Sequence, residues 1–230
     1  MKDRHQFLSQ SRLNGLWQYR MLAVIGGILF LLTATPAMAH HAMGGRMPSN
    51  LLEGFMTGLA HPVIGFDHLA FIVSVGLFSA IHPRGIAITV AFVLSAMVGT
   101  GLHLAQVNLP GVELFVSGSV LLFGVLMVMK NRLNTATVAG LSAIAGIFHG
   151  YAYGESIFGA ETTPLVAYLL GFTVIQMIIA LSAMAIANKF LHADSQSGAN
   201  LRSAGLVISG VGLAFFSSQI INLIFPLPKG

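Results

Sequence analysis

The sequence contains no cysteine and a single tryptophan, and Asp, Glu, Lys and Arg together make up only 8% of its 230 residues. Without cysteine there is neither a disulfide framework nor a thiolate metal site. A soluble domain carries about 25% charged residues, so the scarcity of charge excludes an ordinary water-soluble fold. The eleven Lys and Arg are scattered and form no patch, so the net charge of +4 does not signal a nucleic-acid partner. No nucleotide-binding motif, catalytic serine or His-Glu-x-x-His helix is present.

What remains is strongly apolar. More than half of the residues are hydrophobic, and runs of ~18 or more apolar residues, long enough to cross a ~30 Å hydrocarbon core, recur along the chain. The expected fold class is therefore all-α, a polytopic membrane helix bundle of about six transmembrane helices after a cleavable signal peptide, with the lipid bilayer as its first partner. Residues 1–39 read as that signal: Lys2, Arg4, Arg12 and Arg20 are basic, an apolar stretch runs from Met21 to Ala34, and Ala37-Met38-Ala39 has the small-x-small pattern of a cleavage site. The other reading is an uncleaved first helix, for which a stretch of that length is short. Residues 40–62 are expected as a periplasmic segment with a short re-entrant or interfacial helix over 51–60. Residues 63–230 are expected as the bundle, with spans at 63–81, 86–105, 112–129, 135–154, 164–187 and 204–225, and the stretch 192–203 as a polar loop.

Basic residues give the orientation. Arg84, then Lys130 and Arg132, then Lys189 and Arg202 fall in alternate connections. The connections between them hold no Lys or Arg, and the second carries Glu155 and Glu161. The positive-inside rule sets the basic connections in the cytoplasm and the mature N-terminus in the periplasm of a bacterial inner membrane.

Nine histidines against seven carboxylates is an unusual balance for such a chain. Each ionisable group inside a span costs roughly 2.5–3.5 kcal/mol on insertion scales, which makes it a functional candidate. His61-Pro62-Val63-Ile64-Gly65-Phe66-Asp67-His68 is the densest cluster. With Pro62 at the first position of a helix, one helix is expected to start at His61 and to project His61 and His68 from one face. Asp67 then ligates a cation or fixes the tautomer of a ligating imidazole. His149 lies within Gly146-x-x-x-Gly150-x-x-x-Gly154, a small-residue pattern that admits a neighbouring helix. It either completes the site from a second helix or bonds a carbonyl across the contact. Glu155 either draws cations to the mouth or is a solvated helix end. After cleavage the amine of His40 and the imidazole of His41 offer a square-planar site for nickel or copper(II), or else form an unstructured terminus. The set of candidate metal residues is thus His61, Asp67, His68, His149, His41, His40 and Glu155, with no catalytic residue and no resident cofactor.

These motifs resemble those of a known family. His61-Pro62-x-x-Gly65-x-Asp67-His68 with Val75-Gly76, and Phe148-His149-Gly150-Tyr151-Ala152-Tyr153-Gly154-Glu155, are similar to the signatures of the HupE/UreJ hydrogenase and urease accessory proteins. The resemblance implies a secondary nickel or cobalt permease that supplies metalloenzyme maturation, with His61, Asp67 and His68 as ligands and hydrogenase or urease maturation proteins as partners. Ile72 stands where the family often has methionine. Two other functions stay open: a non-transporting metal-binding accessory protein, and an intramembrane zinc hydrolase using His61, His68, His149 and Asp67 with Glu53 as the nearby base.

Overall fold

The computed structural model describes residues 46–129, 133–193 and 197–226. The expected signal segment, His40 and His41 lie outside the described residues. The described residues form seven helices and no strand: α1 Leu51–Ile64, α2 Phe66–Ile81, α3 Ile86–Leu104, α4 Val112–Val128, α5 Thr135–Glu155, α6 Thr162–Ala193 and α7 Ser197–Ile224. The protein is an all-α polytopic bundle whose outward faces carry exposed Leu94, Leu170, Leu206 and Val207, the inverse of a soluble surface.

Three expectations change. The stretch 192–203 is not simply a loop, because α6 continues to Ala193 and α7 begins at Ser197. The expected spans also differ in how well their length and apolarity suit a crossing helix. By length and apolarity α3, Thr162–Lys189 of α6 and Asn200–Ile224 of α7 qualify singly, and α1 with α2 qualifies only as a pair bent by 81°. α4, at 17 residues, is apolar but short of the about 20 residues that cross a bilayer. α5 has 21 residues but devotes many of them to Gly, Ser, Thr, His and Tyr, and of its polar side chains Ser142 and His149 are fully buried.

The third change concerns the histidine cluster. No helix starts at His61; His61 and Pro62 lie in the last turn of α1, whose N-cap is Asn50, the side chain of which accepts the N–H of Glu53. The break comes three residues after Pro62, at Gly65, whose φ of −74° and ψ of 101° are extended. Pro62 has no N–H to give to the preceding turn, and a proline ring crowds the carbonyl four residues back; here that residue is Gly58. The helix is thus weakened at Pro62 and ends at the glycine.

Small residues set the seams. A Cβ on Gly146 would meet Phe92, one on Gly150 the carbonyl of Ala96, and one on Gly154 the side chain of His103, so α3 and α5 touch backbone to backbone. Thr100 Oγ1 adds a 2.7 Å hydrogen bond to the Gly150 carbonyl. Gly54 and Gly58 abut Pro164 and Tyr168 in the same way, and Gly76 abuts Ala180. α1 and α2 therefore follow α6 in one direction along its length. Close approach of this kind replaces the hydrophobic drive that helices lack in lipid.

The α2–α3 connection meets the start of α5 at one end. His82 bonds the Leu133 carbonyl at 2.9 Å, and Thr135 Oγ1 donates to the Pro83 carbonyl at 3.0 Å. At the other end His103, Asn108, Glu113, Glu155 and Asn222 line a polar recess of about 530 Å³.

Candidate functional site

The break at Gly65 faces α5 and α6. His61, Asp67 and His68 are all buried, with 2%, 3% and 2% of their surface exposed, and His149 is fully covered. Bending, rather than a shared helix face, brings the two motif histidines together: their ring centroids are 6.2 Å apart. Gly65 is needed for this, since a Cβ there would stand 2.6 Å from Cδ2 of His68.

Three helices agree on the depth of the site. Tyr168 lies six residues from the start of α6, His149 six from the end of α5 and Ser119 seven from the start of α4. At 1.5 Å per residue each is about 9–10 Å below the end of the bundle that holds the acidic recess. The cluster sits between two apolar packings, one built around Phe71, Phe92 and Phe123 and one around Tyr153, Tyr168 and Phe172.

His68 Nδ1 and His149 Nδ1 are 2.7 Å apart, and His149 is stacked on Phe71 at 4.5 Å. On its far side His149 Nε2 lies 3.0 Å from Ser119 Oγ, which itself donates to the Val116 carbonyl at 2.7 Å. His61 Nδ1 is 2.7 Å from Ser156 Oγ. Ser156 Oγ is in turn 3.0 Å from the Tyr168 hydroxyl, and that hydroxyl donates to the Tyr153 carbonyl at 2.8 Å. Asp67 Oδ1 accepts the backbone N–H of His68 at 2.8 Å, at the positive end of α2, where a carboxylate is favoured. The Tyr153 ring lies against both His68 and His61, at 4.6 Å and 5.2 Å. Its hydroxyl is buried and finds no hydrogen-bond partner among the described residues.

The sequence itself is matched by known proteins. The profile of the family described as HupE / UreJ protein matches residues 28–215, which contain every residue of the site. The chain belongs to the HupE/UreJ family. Protein HupE of Rhizobium leguminosarum bv. viciae is 25% identical over 182 residues, covering 78% of this chain and 92% of the relative. No solved structure matches the chain.

Not all of the expected site residues of this HupE/UreJ protein converge. Among the described residues no three His, Asp or Glu side chains gather closely enough to hold a metal ion. Glu155 is exposed and belongs to the polar recess, six residues beyond His149. Glu53, the base that a hydrolase would need, is tied back at the exposed start of α1, where its carboxylate accepts the backbone N–H and hydroxyl of Ser49 at 2.8 and 2.9 Å.

Ser119, Ser156, Tyr153 and Tyr168 are the members of the site that reading the sequence missed. Tyr153 stands inside the quoted motif, four residues after His149 and so on the same side of α5. Ser119 and Ser156 carry no such signal: serine is frequent in membrane helices as a backbone hydrogen bonder, and only the tertiary contact distinguishes these two.

Proposed function

We propose that this HupE/UreJ protein is a secondary permease for a divalent transition metal ion, nickel or cobalt, in a bacterial inner membrane with its mature N-terminus in the periplasm. One observation carries the reading: two imidazoles and a carboxylate, His61, His68 and Asp67, are buried at a broken helix within an apolar bundle. Transporters bind coupling ions and substrates at discontinuous helices of this kind, where half-helix ends and side chains replace water.

The donor set suits the cargo. Imidazole favours nickel, cobalt, zinc and copper, and a carboxylate adds negative charge that a divalent ion requires. The orphaned Tyr153 hydroxyl offers a hydrogen bond to a water the ion still carries. A site for passage must bind strongly enough to admit an ion and weakly enough to release it. A small donor set meets that demand better than the closed four-ligand cage of a structural metal. Glu155, with Glu113 in the recess, draws cations to the outer mouth. His40 and His41, at the expected mature N-terminus, are further candidate ligands. The membrane potential supplies about 2.3 kcal/mol per charge per 100 mV, and twice that for a divalent ion. The metal leaves toward hydrogenase or urease maturation proteins, the partners that the family resemblance implies.

The test is radiolabelled nickel and cobalt uptake into sealed proteoliposomes carrying the wild type or Asp67→Ala/His68→Ala. Saturable accumulation, lost in a variant that inserts normally, is the expected result. Binding without flux would reassign the protein as a non-transporting metal-binding accessory, and undiminished uptake by the variant would overturn the site.

A further inference from the structure

The helix that backs the histidines carries one more polar side chain, deep in the bundle. Gln176 of α6 is fully buried, and neither its Oε1 nor its Nε2 has a hydrogen-bond partner among the described residues. Its place follows from the glycine seams. Gly58 of α1 meets the backbone of Tyr168 and Phe172, and Gly76 of α2 meets that of Ala180. Gln176 is four residues from both Phe172 and Ala180, so it lies on the face of α6 that the broken helix covers. Contacts link it to the histidines: Phe172 packs on the Tyr153 ring at 5.7 Å, and that ring lies against His68 at 4.6 Å.

At 1.5 Å per residue Gln176 is about 12 Å further along α6 than Tyr168, and about 21 Å from the end that holds the acidic recess. Ser142 of α5 reaches about the same depth, counted back from the end of its own helix. It too is fully buried, and its hydroxyl likewise lacks a partner among the described residues. Buried polar groups thus occur at two levels: the histidine site, and a second level nearer the end where His82 bonds Leu133.

An amide at this depth leaves both a donor and an acceptor unbonded, where lipid cannot serve either. The usual reason for a glutamine in a membrane helix is a hydrogen bond to a neighbouring helix, and Gln176 makes none. The other reason for costly polar groups inside a bundle is that they line the way of an ion or substrate. We infer that Gln176 is a second contact for the metal ion, met after it leaves His61, Asp67 and His68, with Oε1 toward the ion and the water it retains. This rests on the permease reading and deepens it. The two levels differ in donor strength. Two imidazoles and a carboxylate select a borderline ion, whereas a neutral amide oxygen is a poorer donor to nickel or cobalt. Conduction needs several sites, none of them too strong to leave. With Gln176 in place the ion has a protein oxygen partway through the inner half of the bundle, so the residue governs the rate of passage more than the affinity of capture.

The chain has no cysteine, so Gln176→Cys introduces a single thiol whose access to ions is read directly. The full-length variant in lipid nanodiscs is exposed to silver ions in chloride-free buffer, and thiols left unreacted are alkylated after denaturation. Because the reaction needs a hydrated thiolate, the thiol at 176 is expected to react about tenfold faster than that of Ile178→Cys, which stands on the exposed outer side of the same helix. Added nickel is expected to slow it severalfold. Reaction no faster at 176 than at 178, or reaction that nickel leaves unchanged, overturns the proposal.

Nickel uptake into proteoliposomes gives the second readout. Gln176→Leu is expected to lower the maximal rate about tenfold and to keep the concentration for half-maximal uptake within about twofold of wild type, the pattern of an interaction made after capture. Gln176→Asn, which keeps an amide, is expected to recover much of the rate. Removing an unbonded amide should leave the melting temperature at or above that of wild type, which separates slow passage from poor folding. A normal maximal rate in Gln176→Leu overturns the proposal. Absent uptake by the wild type would fell the permease reading instead, while silver access still decides whether an ion path runs past residue 176.

Discussion

On the side of α5 that meets α3, Gly146, Gly150 and Gly154 bring two backbones into contact. About a quarter turn around the same helix, His149, Tyr153 and the following Ser156 present ring and hydroxyl atoms to the helix break. Neither set works without the other. The glycines restrict how α5 can slide or rotate, because a side chain at any of them would enter space held by Ser95, by the Phe92 or Ala96 carbonyl, or by the His103 side chain of α3. That rigidity holds a 2.7 Å contact between His149 and His68 across two helices. The chemistry is therefore carried by side chains whose geometry is fixed from a neighbouring face of the same helix.

The comparison is broken most severely by filling the glycine face. In Gly150→Leu the new side chain must enter the space of the Ala96 carbonyl and also disturb the Thr100 hydrogen bond to residue 150. Overpacking costs about 1–3 kcal/mol where side chains can yield, and more where they cannot. Most of the detergent-extracted protein should lose its monodisperse peak in size-exclusion chromatography, and the remainder should melt well below wild type. A variant that purified and melted normally would show that α3 and α5 are not locked together at this point.

A smaller effect is expected where the obstacle is a side chain of the site. In Gly65→Ala the added methyl meets Cδ2 of His68, next to Nε2, and approaches Asp67 Oδ1 at 3.3 Å. An alanine adopts the extended backbone of residue 65 without strain, so the fold should persist while the His68 ring tilts. Nickel affinity should fall about tenfold, the lower end of what lost ligand positioning costs, with the melting temperature within a few degrees of wild type. Unchanged affinity would mean that the imidazole relaxes freely and that the break does not hold it.

These two substitutions also mark what could be read in the sequence. Apolar runs, basic alternation and glycine spacing located α3, α4 and α5 to within a residue at each end, because those signals are local and periodic. The His61–His68 cluster and the importance of His149 were legible because ionisable groups in spans are rare. The bend was not. Pro62 suits both a helix start and a weakened last turn, and only the packing of Gly54 and Gly58 against α6 decides for the second. Ser119 and Ser156 were invisible for a related reason, since their partners lie 30 and 95 residues away, and nothing local to either serine points to them.

The smallest and most discriminating change is Tyr153→Phe. It leaves the ring against His61 and His68 and removes only a buried hydroxyl that has no partner among the described residues. An unsatisfied buried polar group costs about 1–3 kcal/mol, so the variant should melt at or above the wild-type temperature. If that hydroxyl serves the arriving ion, the cost appears elsewhere: uptake at saturating nickel should fall severalfold with little change in the concentration for half-maximal uptake, since the imidazoles and Asp67 remain. Stability and transport then move in opposite directions, which a purely structural tyrosine would not produce. Parallel loss of both would identify Tyr153 as packing. Unchanged uptake in a stabilised protein would leave the ion to the two imidazoles and the carboxylate alone, and the face of α5 that meets the site would then act only through His149 and Ser156.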